Sequence, residues 1–215
     1  MIGSACLQML LTDARVTAVV APTRRPLEIT DNKLINPALD FDRLDELKAP
    51  LNSAVASICC LGTTIRKAGS QEAFRKVDFD YNLAAAQLCR GVGVKHWLQV
   101  SAIGASSRSP VFYSRVKGEL ESALKALRFP ALSIFHPSML MGDREESRPL
   151  EEIGIKVTRV INPLLLGPLK PYRGIEDDTL AHALVNKALL PTQETGLPGV
   201  SVFSYEKIVQ LANNE

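Results

Sequence analysis

Short apolar runs alternate with longer amphipathic stretches along the 215 residues of this chain, and that alternation constrains the fold more than any single motif does. Short runs rich in Val, Ile and Leu suit strands buried on both faces, and the amphipathic stretches between them suit the crossover helices that parallel strands require. Val16 to Ala21, Leu34 to Leu39, Ala54 to Cys60, His96 to Ser101, Leu132 to Phe135 and Val200 to Phe203 are the strand candidates. Gln71 to Cys89 carries Phe74, Val77, Tyr81, Ala84, Ala85 and Leu88 at helical spacing and is closed by Gly91 and Gly93. Val111 to Leu127 carries Val116, Leu120, Leu124 and Leu127 on one face, and Asp177 to Leu190 returns to helix. The expected fold class is α/β, a doubly wound parallel sheet in a single domain over residues 1–215. A charged and Pro/Gly-rich excursion over residues 142–175 is expected to build the substrate side of its cleft.

Charge and composition remove several function classes. Twenty-five basic against 23 acidic residues leave a net charge of +2, with the basic residues scattered, so no nucleic acid partner is indicated. The apolar stretch from Ile161 to Leu169 is broken by Asn162, Pro163, Gly167 and Pro168, far short of the roughly 20 residues of a spanning helix, so no membrane is expected. Met1 leads into Gly3, Ser4 and Cys6 without a basic region before an apolar one, and the expected location is cytoplasmic. Cys6, Cys59, Cys60 and Cys89 lie among apolar residues without Cys-x-x-Cys spacing; they read as small core residues, and no metal site or disulfide is expected.

The strongest chemical signal is Tyr113-Ser-Arg-Val-Lys117. Four residues apart on a helix, the two side chains share a face with Cβ atoms about 5–6 Å apart. A free phenol has a pKa of about 10, and a neighbouring ammonium is the simplest means of bringing it toward neutrality for proton exchange with a carbonyl or hydroxyl.

Further motifs keep that pair company: Thr23-Arg-Arg25, Cys59-Cys-Leu-Gly-Thr-Thr64, Lys67-Ala-Gly69, Val77-Asp-Phe-Asp-Tyr81, Tyr113-Ser-Arg-Val-Lys-Gly-Glu119 and Gly142-Asp-Arg-Glu-Glu-Ser-Arg148. Together they resemble an atypical short-chain dehydrogenase/reductase with a Rossmann-like NAD(P)-binding fold. More narrowly, they resemble the Tat-interacting-protein oxidoreductases and their bacterial epimerase-like relatives. The resemblance implies that Tyr113 is the catalytic acid/base, that Lys117 lowers its pKa and holds the nicotinamide ribose, and that Ser101 holds the substrate oxygen. Many relatives carry Ser-Ser where this chain has Ser101-Ala102, and Ser106 or Ser107 is the available substitute.

The same resemblance places the cofactor over Leu61, Gly62, Thr63 and Thr64. Pro137, Ser138 and Met139 fall near its carboxamide, and Asp40 and Phe41 near its adenine. His136 stands where relatives commonly have Arg, and is read as structural. Arg24 and Arg25 follow a strand where NAD-binding enzymes usually place an acidic residue, and a guanidinium suits the extra 2′-phosphate. NADP(H) is therefore the expected cofactor over NAD. The implied function is an NADP(H)-dependent oxidoreductase acting on a small carbonyl or alcohol. A non-catalytic NADP(H)-binding regulator and a sugar-nucleotide epimerase-like enzyme are the rivals. A homodimer is possible.

A dinucleotide-binding domain should open with a strand and a Gly-rich turn. Met1-Ile-Gly3-Ser-Ala resembles only the tail of such a turn, with Gly3 in the place of the glycine that packs helix against strand. The first strand and most of the turn are thus expected to be missing from the chain as written, leaving a slot one strand wide between Val16–Ala21 and Ala54–Cys60. A longer natural protein, another segment filling the slot, and a rearranged fold are the alternatives. Weakened or absent dinucleotide binding is the expectation for the chain as written.

Overall fold

The computed structural model describes residues 2–138, 140–141, 167–191 and 199–213. The chain runs through α1 (Ile2–Thr12), β1 (Val19–Val20), β2 (Leu34–Ile35), a 3-10 stretch (Phe41–Leu47), α2 (Lys48–Leu51) and β3 (Ala56–Cys59). It continues through α3 (Ile65–Ala68), α4 (Gln71–Arg75), a π-helical turn (Lys76–Tyr81), α5 (Asn82–Gly91), β4 (His96–Val100), α6 (Phe112–Ala126) and β5 (Ala131–Phe135). After β6 (Leu140–Met141) come a 3-10 stretch (Gly167–Tyr172), β7 (Ile175–Glu176), α7 (Asp177–Leu189), β8 (Gly199–Phe203) and α8 (Tyr205–Asn213).

Four strands form a parallel sheet in the order β3-β4-β5-β8, so the α/β expectation holds. Side-chain alternation along each strand divides two apolar cores between the two faces. Trp97 on β4 and Leu132 and Ile134 on β5 face Ala86, Cys89, Leu120 and Leu124 of α5 and α6. Leu98 and Phe135 face the other way, onto Leu180 and Leu184 of α7, Ile208 of α8 and Ile2 and Cys6 of α1. Burying both faces is what the centre of a parallel sheet requires, and β4 and β5 do so with His96, Gln99 and Ser133 buried among their apolar residues.

The first two strands are shorter than their sequence runs. β1 pairs with β2 in parallel through Val19 opposite Leu34 and Val20 opposite Ile35, with one further bridge between Thr23 and Ala38. Among the described residues this ribbon pairs with no strand of the larger sheet, so neither strand has a second neighbour to extend its ladder. The split falls between β1 and β3, where the sequence placed its slot. Val20 nevertheless packs on the same apolar core as Cys59. Gly3 corrects an expectation: a Cβ there would lie 3.6 Å from Cys60 Cβ, an ordinary contact, so helix packing does not demand glycine. The charged segment 142–148, and most of the excursion over 142–175, lie outside the described residues.

Gly118 is where close approach does demand glycine. The loop after β4 crosses α6 at this point, held by the Ser106 amide donating to the Ser114 carbonyl at 3.0 Å. A Cβ on residue 118 would lie 2.2 Å from the backbone carbon of Ser106 and the nitrogen of Ser107. Gly118→Ala is expected to destabilise the protein by about 1–3 kcal/mol, read by urea unfolding, because the loop must move off the helix.

His96 makes a second prediction. It is 2% exposed, its Nε2 lies 2.9 Å from Ser133 Oγ, and its Nδ1 has no hydrogen-bond partner among the described residues. Burial, aided by the nearby Lys187, lowers its pKa from 6.5 to about 4. The unfolded chain therefore binds the proton first. Stability contributed by neutral His96 is present above about pH 6.5 and is lost as pH falls toward 4. His96→Gln should flatten that limb of a stability-against-pH curve.

Candidate active site

The candidate site is assembled at the carboxyl ends of β3 and β4 by three elements that meet on a buried ion pair. Helix α6 presents Tyr113, Lys117 and Glu121 on successive turns of one face, beside the apolar stripe Val116, Leu120 and Leu124. Lys117 Nζ lies 2.7 Å from Asp78 Oδ1, and the two side chains are 6% and 1% exposed. The contact is an ion pair, and among the described residues Oδ1 has no hydrogen-bond partner. Asp78 Oδ2 accepts from the Thr63 amide at 2.8 Å, so the same carboxylate anchors the loop after β3.

Asp78 comes from the π-helical turn, as does the chain leading into Asn82. Asn82 is fully buried and satisfied: Oδ1 accepts from Cys59 Sγ and Gln99 Nε2 at 3.0 Å each, and Nδ2 donates to the Leu61 and Val77 carbonyls. These bonds fix the end of β3 against β4. Burial pushes the Cys59 thiol up to about 11, consistent with a core residue.

Tyr113 is half-buried and packs against Phe74, with ring centroids 5.7 Å apart. Lys117 Nζ sits 6.0 Å from the centre of its ring. Burial raises the phenol pKa; Lys117 opposes this, and Asp78 adds to it. The expectation that Lys117 brings Tyr113 toward neutrality is therefore not met in this arrangement, because burial outweighs the ammonium and Asp78 adds to it.

Ser101 follows directly on β4, is buried, and donates from Oγ to Glu121 Oε1 at 2.5 Å. His136, expected to be structural, lies with its Nε2 at 2.7 Å from the same Glu121 oxygen. Ala102 is buried, while Ser106 and Ser107 are exposed in the crossing loop, where Ser106 Oγ accepts from the Arg108 amide.

The remaining expected residues divide into those near the ion pair and those engaged elsewhere. Gly62 lies against it: a Cβ there would come within 3.3 Å of Asp78 Oδ1 and 3.8 Å of Lys117 Nζ. Leu61 and Thr63 are tied to Asn82 and Asp78, and Thr64 caps α3 by accepting from the Lys67 amide. Thr23 is tied to Asn36 at 2.8 Å. Arg24 and Arg25 are exposed, with no side-chain ion pair or hydrogen bond among the described residues. Asp40 caps the first 3-10 stretch through the Asp42 amide, and Phe41 packs on Tyr81. Pro137 is buried, and Ser138 donates to the Arg173 carbonyl. Met139 lies outside the described residues.

Two clefts, of about 520 and 510 Å³, lie away from this cluster. One is lined by Phe41 and Asp42 beside α5, and the other by His96 and Lys187. Neither contains Tyr113 or Lys117, and the chemistry concentrates at the ion pair instead. Asp78, Asn82 and Glu121 were not singled out by sequence reasoning; Asp78 lies inside a quoted motif, but its partner is 39 positions away.

The residues present fit a nicotinamide dinucleotide. Gly62 exposes bare backbone at the strand end, and Arg24 and Arg25 leave two guanidinium groups free for an anionic ligand.

Replacing Asp78 by Ala leaves Lys117 buried without a counter-charge and is expected to cost about 3–5 kcal/mol in urea unfolding. The milder Asp78→Asn removes the negative charge that opposes Lys117, so the Tyr113 pKa should fall. Ultraviolet titration of the phenolate, with Tyr113→Phe as the blank, reads that shift.

No protein-family model matches this chain. It is 38% identical to HTATIP2 of Rattus norvegicus over 157 residues, which are 72% of this chain and 64% of that protein. It is 32% identical over 198 residues to mitochondrial FMP52 of Meyerozyma guilliermondii, covering 91% of this chain and 84% of the relative. Among solved structures, MoeE5 in complex with UDP-glucose and NAD superimposes with a TM-score of 0.67 at 15% identity, over 98% of this chain and 77% of that one. The human epimerase family protein SDR39U1 with NADPH gives 0.54 at 19% identity, over 95% of this chain and 70% of that one. At such identities the structural likeness shows the fold, a Rossmann-like one. The cytoplasmic location expected from the sequence is overturned by the FMP52 relatives, which are mitochondrial proteins in several fungi. With FMP52 matched at 32% identity over 91% of this chain and 84% of that relative, this chain belongs to the HTATIP2/FMP52 family.

Proposed function

We propose that this protein is an NADP(H)-dependent oxidoreductase of the short-chain dehydrogenase/reductase type, acting on a small carbonyl or alcohol. The observation that carries the reading is the placement of Tyr113 and Lys117 on consecutive turns of α6, with Gly62 against the Lys117 ammonium at the strand end. When bound, the nicotinamide supplies hydride transfer. Tyr113 exchanges the proton with the substrate oxygen, and Ser101 positions that oxygen. Lys117 would hold the ribose, and Leu61, Gly62, Thr63 and Thr64 would line the cofactor's path over the end of β3. Arg24 and Arg25 favour the 2′-phosphate, and with it NADP(H) over NAD. A mitochondrial location follows the FMP52 relatives.

One observation favours a second reading. Asp78 neutralises Lys117, and the Tyr113 pKa is raised. A protein that binds NADP(H) as a signal, without turnover, needs no activated phenol.

Tyr113→Phe is expected to abolish turnover of an alcohol and ketone panel while leaving NADPH affinity within a few fold. Binding without turnover in the wild type would favour the regulatory reading. Replacing Arg24 and Arg25 together by Ala should weaken NADPH about tenfold to a hundredfold, the worth of one charge-assisted contact, and leave NADH nearly unchanged. Fluorescence titration of each nucleotide reads both.

A further inference from the structure

Glu121 is a buried acid for which the hydride chemistry has assigned no task. It lies one turn beyond Lys117 on α6, and its side chain is 7% exposed. Oε1 lies 2.5 Å from Ser101 Oγ and 2.7 Å from His136 Nε2, and Lys125 Nζ approaches Oε2 at 3.9 Å. As a carboxylate, Glu121 has no hydrogen to give, so both close partners must donate to it. His136 then carries a hydrogen on Nε2, and the Ser101 O–H points at Glu121. A serine hydroxyl has one hydrogen and two lone pairs. With its hydrogen committed inward at 2.5 Å to a charged acceptor, Ser101 offers lone pairs alone at the end of β4.

We propose that Glu121 and His136 are positioning residues that set Ser101 as a hydrogen-bond acceptor, so that the site binds the alcohol form of its substrate and product pair more tightly than the carbonyl form. The inference rests on the nicotinamide-dependent reading of the site. An alcohol donates to Ser101 and accepts from the neutral phenol of Tyr113, which satisfies both groups. A carbonyl oxygen accepts from Tyr113 but meets Ser101 lone pair against lone pair. Leaving a polar group unmatched in a buried site is costly, and one such bond separates the two ligand forms by about tenfold. Glu121 and His136 touch no reacting atom in this scheme; they act through the direction of one hydrogen.

The probes are tert-butanol and acetone, neither of which can react beside an oxidised nicotinamide. Their affinities for the NADP⁺-saturated protein are measured by saturation-transfer NMR. The wild type should bind tert-butanol about tenfold more tightly than acetone. Ser101→Ala should lose that margin by weakening the alcohol alone. Glu121→Leu, checked for folding by its thermal melt, should also lose the margin, since it frees the Ser101 hydrogen to face the ligand. Glu121→Gln, whose amide oxygen still accepts from Ser101, should restore it. A merely structural role for Glu121 would weaken both ligands together. Acetone bound as tightly as tert-butanol by the wild type, or weakened by Ser101→Ala, overturns this inference and leaves the nicotinamide reading standing. Failure of NADP⁺ to bind at all overturns that reading and this inference with it.

Discussion

The arrangement of this protein depends on one buried pair of opposite charges. Taking a carboxylate and an ammonium out of water costs several kcal/mol for each ion, and the cost is recovered only with close pairing and further hydrogen bonds. Asp78 and Lys117 meet the first condition at 2.7 Å, and the Thr63 amide helps meet the second at 2.8 Å. Three elements distant in sequence are thereby pinned to one point: the loop after β3, the π-helical turn, and α6. Had α6 been held by its apolar stripe alone, sliding it along the sheet would cost only repacking. The ion pair makes such a shift leave a buried charge behind.

The π-helical turn supplies the geometry. The apolar pattern over Gln71 to Cys89 reads as one uninterrupted helix, and the rod is indeed continuous, but its middle widens at Lys76–Tyr81. Such widened turns change the register of the residues that follow and are frequent at functional sites. Here the turn carries Asp78, and Asn82 follows directly, both fully buried. Asn82 locks β3 to β4 while Asp78 locks the loop above β3 to α6, so one local irregularity serves both the sheet and the site.

What was legible in the sequence was what repeats. Strands gather β-branched and apolar residues into short runs, and α6 and α7 carry periodic stripes, so β3, β4, β5 and β8 were located to within two residues. β6 and β7 are two residues each and carry no period to read. α8 did carry one, with Ile208, Leu211 and Ala212 packed on the second core, and was passed over. The polar half of the site was harder. Asp78, Asn82, Gln99 and Glu121 are buried only because each finds a partner from another element, and a sequence read locally assigns such residues to water. Tyr113 and Lys117 stood out because four-residue spacing is local. Gly118 was hidden for the same reason as Glu121, since its necessity comes from the Ser106–Ser107 backbone laid over it.

The same locality explains why the pair alone gave the wrong electrostatics. Spacing puts an ammonium near a phenol, and a lone ammonium would stabilise phenolate. Lys117 instead lies 2.7 Å from a carboxylate and 6.0 Å from the Tyr113 ring centre, so the nearer charge cancels much of what the phenol would otherwise feel. Burial then has the larger say, and the phenol stays protonated and able to donate. Ser101, with its hydrogen given to Glu121, is left with lone pairs alone, and in the proposed site it is the acceptor that complements this donor. The two buried carboxylates thus act in the same sense. Asp78 adds to the burial that keeps a hydrogen on Tyr113, and Glu121 takes the hydrogen of Ser101. An oxygen held between them is asked both to accept and to donate, which a hydroxyl does and a carbonyl does not.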